Sequence, residues 1–116
     1  MLGLSFKPNT DDIRDSTSLK IANLLTAENI KIKCFDPKAM KNAKLENEEL
    51  ILCDNAYEAC FDTKAIIIGT EWNEFRALDF LKIKESLDNL VIFDLRNIYK
   101  AKNLKDLGFE YFGTGK

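Results

Sequence analysis

The sequence contains no histidine. That absence removes histidine-based triads, imidazole acid–base catalysis and the common zinc sites from the chemistry this chain can carry by itself. Cysteine is sparse: Cys34, Cys53 and Cys60 make an odd number without C-x-x-C spacing, each among apolar neighbours. Small reduced core residues are expected, not a disulfide framework, a metal site or a nucleophile. Glycine is too thin for a dinucleotide fingerprint, because Leu4, Ser5 and Phe6 follow Gly3 where G-x-G-x-x-G needs further glycines. No apolar run approaches the ~20 residues that span a bilayer, and no charged-then-apolar leader opens the chain. An excess of positive charge is missing too: 17 basic residues stand against 19 acidic ones, for a net charge of −2. That balance gives no general attraction to nucleic acid or to an anionic membrane, and leaves only a local basic pocket open. The expected location is the cytoplasm.

What is present is enough for one domain with a real core, at 116 residues. Residues 2–6 read as a short strand. Asp15 or Ser16 can cap a helix running to about Glu28, with Leu19, Ile21, Ala22, Leu24 and Leu25 as its apolar stripe. Lys31 to Phe35 alternates as a strand with one wet face, and Asp36-Pro37 breaks it. A short helix is expected around Pro37 to Ala43 with Pro37 at its first position, then a weak strand at Leu50–Cys53. Asp54 or Asn55 caps a helix through Phe61. Ala65–Ile68 is the strongest central-strand signal, uncharged and expected to be buried on both faces. A loop at 69–76 follows, then a helix from about Phe80 to Leu87 capped by Asp79, a buried strand at Val91–Phe93, a helix at Asn103–Leu107 and a closing strand at Tyr111-Phe112. This alternation predicts an α/β fold: a three-layer, Rossmann-like domain with a mainly parallel sheet and helices on both faces. The first strand starts at residue 1 or 2 with no lead-in, so residues 1–116 read as an excised domain.

The most informative stretch is Gly3-Leu4-Ser5-Phe6-Lys7-Pro8-Asn9-Thr10-Asp11-Asp12-Ile13-Arg14. A strand end that opens into a charged loop ahead of a helix is where α/β proteins hold anionic ligands. Pro8 fixes its own φ and biases Lys7 toward extended backbone. The Lys7 ammonium can reach a phosphate or a sugar hydroxyl; the alternative is a solvated loop lysine. The Arg14 fork suits a phosphate, or an ion pair with Asp11, Asp12 or Asp15. Arg96 follows the strand at Val91–Phe93, and with Lys7 it makes a two-charge clamp suited to a diphosphate. Trp72, beside Glu71, can stack on a base, or pack at a domain interface or within its loop. Asp36 sits where Rossmann domains place a ribose-binding carboxylate, but without the glycine fingerprint beside it. Gly113-Thr114-Gly115-Lys116 has the look of part of a phosphate loop with no helix after it, and reads as a tail.

The opening stretch, together with Phe-Asp-Pro (35–37), Gly-Thr-Glu-Trp-Asn-Glu-Phe-Arg (69–76), Phe-Asp-Leu-Arg-Asn (93–97) and Gly-Phe-Glu-Tyr-Phe-Gly-Thr-Gly (108–115), resembles the C-terminal UDP-binding domain of the UDP-glucose/GDP-mannose dehydrogenase family. The motifs come in the family's order over nearly the whole chain, and look most like the members that act on UDP-glucose. The resemblance implies that Phe6, Lys7 and Arg96 contact UDP-glucose or UDP, and that Arg14 reaches toward the pyrophosphate of NAD. It implies an enzyme that oxidises the C6 alcohol of a UDP-sugar to a carboxylate with two NAD+, through a cysteine-bound thiohemiacetal and thioester. The family's nucleophilic cysteine and NAD loop lie upstream, in N-terminal NAD-binding and central domains absent from this sequence. No catalytic residue is therefore assigned here, and the isolated chain is expected to be inactive. Family enzymes are dimers or larger through their central helices, so the fragment is expected to be monomeric. Related substrates, UDP-N-acetylmannosamine or GDP-mannose, and a stand-alone non-catalytic binding module are the alternatives. Leu95 stands where many members carry glycine, which makes that backbone less permissive.

Overall fold

Every strand pairing in the structure, a computed structural model that describes residues 1–115, is parallel. Lys116, the last residue of the glycine-containing tail, lies outside the described residues. β1 (Lys33–Cys34) pairs with β2 (Ile51–Leu52); β3 (Ile66–Ile68) pairs with β4 (Val91–Asp94), which pairs with β5 (Glu110–Gly113). The opening segment joins the two groups, because Leu2 bridges Phe35 on one side and Ile68 on the other. Its ladder is explicit: the Met1 nitrogen donates to the Lys33 carbonyl at 2.6 Å, and the Leu2 N–H to the Ile67 carbonyl at 2.8 Å. The spatial order is thus β2, β1, opening segment, β3, β4, β5. The chain winds outward one way to β2 and then returns to the other side of its own start. This doubly wound order puts the topological switch point, the crevice position of such folds, at the carboxyl ends of the opening segment and β3.

Local chemistry explains the helix starts. Ser16 caps α1 (Thr17–Ala27) by accepting the Leu19 N–H at 3.1 Å, and Asn55 caps α3 (Ala56–Cys60) by accepting the Glu58 N–H at 2.9 Å. Asp79 accepts from Leu81 and Lys82 at the head of α5 (Phe80–Glu85). Each cap supplies an acceptor to otherwise unpaired first-turn amides. α6 (Ala101–Asp106) stops before Gly108. No helix of the described residues is long and apolar enough to cross a membrane.

Four expectations need correction. α2 runs Met40–Glu46 and does not start at Pro37. The Asp36 carboxylate takes the Lys38 and Ala39 amides at 2.9 and 2.8 Å, holding residues 37–39 as a turn. The 69–76 loop contains a four-residue helix, α4 (Asn73–Arg76), anchored by the fully buried Phe75; one turn is too short to show a period. The opening strand is confined to the bridge at Leu2, because beyond Gly3 the Leu4 and Ser5 amides turn to Asp36 and leave the ladder. β4 is not buried on both faces: Phe93 is 38% exposed.

That last difference follows from how the helices divide. One apolar cluster joins Leu2, Ile66, Ile68, Ile92 and Tyr111 to residues of α3, α4, α5 and α6. The other joins Met1, Leu4, Ile32 and Cys34 to α1 and α2. Helices therefore lie on both faces, as expected of a Rossmann-like α/β fold. On the α1–α2 side, however, Phe93 and Phe112 stack at 5.2 Å between ring centres and stay exposed.

Candidate functional site

The crevice is built by close backbone approach. Gly3, at φ +94°, lies so near β3 that a Cβ there would stand 2.4 Å from the Thr70 nitrogen. A Cβ on Gly69 would stand 1.9 Å from Ser18 Oγ, so any side chain would force α1 away. The Ser18 hydroxyl donates to the Gly3 carbonyl, and Thr70 Oγ1 donates to the Ser5 carbonyl at 2.8 Å. These glycines serve tight packing and not a phosphate loop, which agrees with the missing fingerprint.

Asp36 locks the floor. Fully buried, its Oδ2 accepts from the Leu4 amide (2.8 Å), the Ser5 amide and Ser5 Oγ (both 3.0 Å), and Trp72 Nε1 (3.2 Å). With the Lys38 and Ala39 amides on Oδ1, this one carboxylate ties together the opening segment, the turn after β1 and the segment after β3. A buried carboxylate is tolerable when several N–H groups solvate it in this way. The arrangement decides two open readings. Asp36 has no exposure left for a ribose, and Trp72 packs into the loop with its indole N–H engaged, so it offers no face for a base.

From that floor the chain emerges at Phe6, whose amide donates to the Asp12 carbonyl at 2.7 Å and closes the loop between them. Phe6 is 44% exposed and Lys7 is exposed. The Lys7 ammonium makes no hydrogen bond or ion pair within 4 Å among the described residues, but its charge helps to hold the Asp12 carboxyl down.

Arg96 arrives from the far side of β3. Asp94, also fully buried at the end of β4, accepts the Arg96 amide at 3.2 Å, the Tyr99 amide at 3.1 Å and the Tyr111 hydroxyl at 2.7 Å. Burial, and then the Asp94 carboxylate, push the Tyr99 and Tyr111 phenols up, so both keep their protons. The Arg96 side chain crosses the end of β3: Nε donates to the Gly69 carbonyl at 3.0 Å and Nη2 to the Phe6 carbonyl at 3.4 Å. Nη1 lies 3.6 Å from Glu71 Oε2. The structure thus brings Arg96 to the backbone of Phe6, the residue before Lys7. Leu95 has an ordinary negative φ; the left-handed residue of this turn is Asn97 at +54°, whose side-chain amide donates to the Thr114 carbonyl at 2.9 Å.

Arg14 stands apart. Its Nε and Nη2 grip Asp12 Oδ1 and Oδ2 at 3.0 and 2.9 Å, and its side chain is 88% exposed. Those hydrogen bonds hold the Asp12 carboxyl down to about 2. Among the described residues no hydrogen bond or ion pair links Arg14 to Arg96. Two residues of consequence went unread in the sequence: Asp36 as the lock of the floor, and Glu71 as the neighbour of Arg96. The Phe-Asp-Pro and Thr-Glu-Trp motifs carried the signal, but only the fold shows that they meet.

The three cysteines are unpaired and buried; burial pushes Cys34 and Cys60 up to about 11 and raises Cys53 as well. None is a thiolate nucleophile at neutral pH.

Known proteins resemble this chain over nearly its whole length. A family model described as "UDP-glucose/GDP-mannose dehydrogenase family, UDP binding domain" matches residues 1–101. UDP-glucose 6-dehydrogenase of Rhizobium meliloti (strain 1021) is 41% identical over 116 residues, covering 100% of this chain and 26% of that protein. The Rickettsia bellii (strain RML369-C) protein of the same name is 41% identical over 117 residues, with 99% and 27% covered. Among solved structures, a UDP-glucose dehydrogenase from Pyrobaculum islandicum superposes with a TM-score of 0.75 at 28% identity, over 98% of this chain and 24% of that one. A UDP-D-ManNAc dehydrogenase from Pyrococcus horikoshii does so at 0.77 and 27%, with 98% and 24% covered. The chain spans about a quarter of the length of the curated relatives it matches.

Proposed function

This chain belongs to the UDP-glucose/GDP-mannose dehydrogenase family, as its UDP-binding domain, and from that premise we propose that the crevice between the opening segment and β3 holds the UDP part of UDP-glucose. In this reading Lys7 and Arg96 grip the diphosphate and Phe6 lies against the nucleotide sugar. The observation that carries it is the Arg96 guanidinium, which reaches the carbonyl of Phe6, the residue before the exposed Lys7. Residues 1–116 are one domain of a longer cytoplasmic enzyme, a homodimer or larger, that oxidises UDP-glucose to UDP-glucuronate with NAD.

The residues present do not fit NAD as a primary ligand. The glycine fingerprint is absent, and the carboxylate at the ribose position is buried in backbone hydrogen bonds. NAD is bound mainly by the N-terminal domain of the longer protein. Arg14 is the exposed group that reaches toward its pyrophosphate across the domain boundary, with Nη1 still available beyond Asp12. The reactive cysteine likewise lies elsewhere, since Cys34, Cys53 and Cys60 are inert by burial.

Titration of the 15N-labelled chain with UDP-glucose or UDP tests the site. Binding near the millimolar end, roughly −4 kcal/mol, is expected, with amide shifts centred on residues 5–8 and 94–97. Equal shifts with NAD+, or shifts confined to 44–49, would count against it. Supplied with UDP-glucose and NAD+, the chain alone should make no NADH.

A further inference from the structure

Glu71 is the acidic group set against the proposed phosphate edge. It follows β3 directly across Gly69 and Thr70, and its Oε2 lies 3.6 Å from Arg96 Nη1. Resting on the reading of that edge as a diphosphate site, we propose that Glu71 is an internal stand-in for the ligand: it occupies the Arg96 guanidinium in the empty domain and gives it up to the diphosphate, so that only a strongly anionic ligand displaces it.

Three features of the arrangement support exchange over a fixed structural bridge. The separation is beyond hydrogen-bond range, so the attraction is a loose Coulombic one. Both side chains are about one-third exposed, at 29% and 31%, where solvent screens the pair and its contribution to stability is small. The fixed hydrogen bonds of Arg96 go instead to the neutral carbonyls of Gly69 and Phe6, which position the guanidinium without cancelling its charge. Meanwhile the Glu71 main chain is tied down, its carbonyl accepting from Arg76 Nη1 at 3.3 Å, which leaves the carboxylate arm as the part able to move. A carboxylate so placed repels an arriving phosphate until it swings aside. It thereby penalises anions too weak to take its place at Arg96.

The test compares UDP with uridine, which shares the base and ribose but carries no phosphate, on the wild-type chain, Glu71→Gln, Glu71→Asp and Lys7→Ala. Glu71→Gln should bind UDP about threefold to tenfold tighter, with the gain shrinking as salt is added and with uridine binding unchanged. Glu71→Asp keeps the charge and should stay near wild type, and the unfolding midpoint of Glu71→Gln should hardly move. Weaker UDP binding by Glu71→Gln would mean that the carboxylate is itself a ligand contact, and would overturn the proposal. An equal gain for uridine would overturn it as well, since the effect would then be loosening and not charge. UDP binding that depends on Lys7 but ignores Glu71→Gln removes this inference and leaves the site standing. No UDP binding by any variant removes both.

Discussion

The crevice floor and the loop that rises from it are adjacent in sequence yet held by different means. At the floor, one buried carboxylate ties three chain segments, and Arg96, from the turn after β4, clasps the Gly69 and Phe6 carbonyls. In the loop of residues 7–15, Arg14 is satisfied by Asp12, two residues away, and both face water. The floor is a tertiary object whose parts cannot move singly, whereas the loop, tied to α2 by Asn42 Nδ2 on the Asp11 carbonyl at 3.0 Å, carries a charge pair that is local, screened and replaceable. Rigid support beneath an exposed charged arm is what a site needs to orient an anion with little ordering left to do on binding.

The strongest blow to that comparison is Asp36→Ala. It leaves the Leu4, Ser5, Lys38 and Ala39 amides and the Trp72 indole without their acceptor in a buried setting. The expected loss is on the order of 3–5 kcal/mol, a large part of the ~5–15 kcal/mol such a domain has. Asp36→Asn should recover little, because its NH2 group meets donors on one side. Chemical denaturation measures both; near-wild-type midpoints would mean that the floor is not interlocked as described.

Next come the two basic residues of the edge, which the comparison separates. Lys7→Ala should weaken UDP binding about tenfold to a hundredfold, seen as lost shifts at 94–97, with the unfolding midpoint unchanged. Arg96→Ala should lose binding and also lower stability by about 1–2 kcal/mol, since its clasp on the Gly69 and Phe6 carbonyls goes too. Equal stability for the two variants would show that the clasp contributes nothing.

Arg14→Ala should leave the unfolding midpoint of this domain in place, as its pairing is local and exposed. In the longer enzyme it should raise the KM for NAD+. A large fall in midpoint with unchanged NAD+ kinetics would make Arg14 a structural residue and remove its assigned role.

The smallest expected effect is in the pH dependence. The Asp12 carboxyl is held at about 2 in the folded chain against an ordinary value of 3.8. A depressed folded value means a stabilising contribution present above the unfolded value. It is lost as pH falls from near 3.8 toward 2, and fades with salt. NMR titration of the Asp12 carboxyl in wild type and Arg14→Ala measures it: in the variant the carboxyl should titrate closer to 3.8, since its dominant partner is gone.

Much of this was legible in the chain. The helix caps at Ser16, Asn55 and Asp79 lie where their side chains allow, because capping is settled within three residues. The apolar run at Ala65–Ile68 marked the strand that neighbours both the opening segment and β4. Arg96 could be placed at the carboxyl edge in advance because it follows a strand, and parallel strands deliver their ends to one edge. Where the reading slipped, distant contacts had overridden local signals. Pro37 lost its place at a helix start to the Asp36 carboxylate, and Phe93 stays 38% exposed, stacked on Phe112.

By itself, then, the amino-acid sequence determined the alternating α/β pattern and the capped helix starts at Ser16, Asn55 and Asp79, because each depends on periodicity or on capping within three residues. Only the tertiary structure decided that Asp36 is a lock and not a ribose ligand, that Trp72 is packed away, and that Glu71 faces Arg96. Those roles depend on residues more than twenty positions apart meeting at a switch point, and no local preference encodes which distant amide or guanidinium a carboxylate will find.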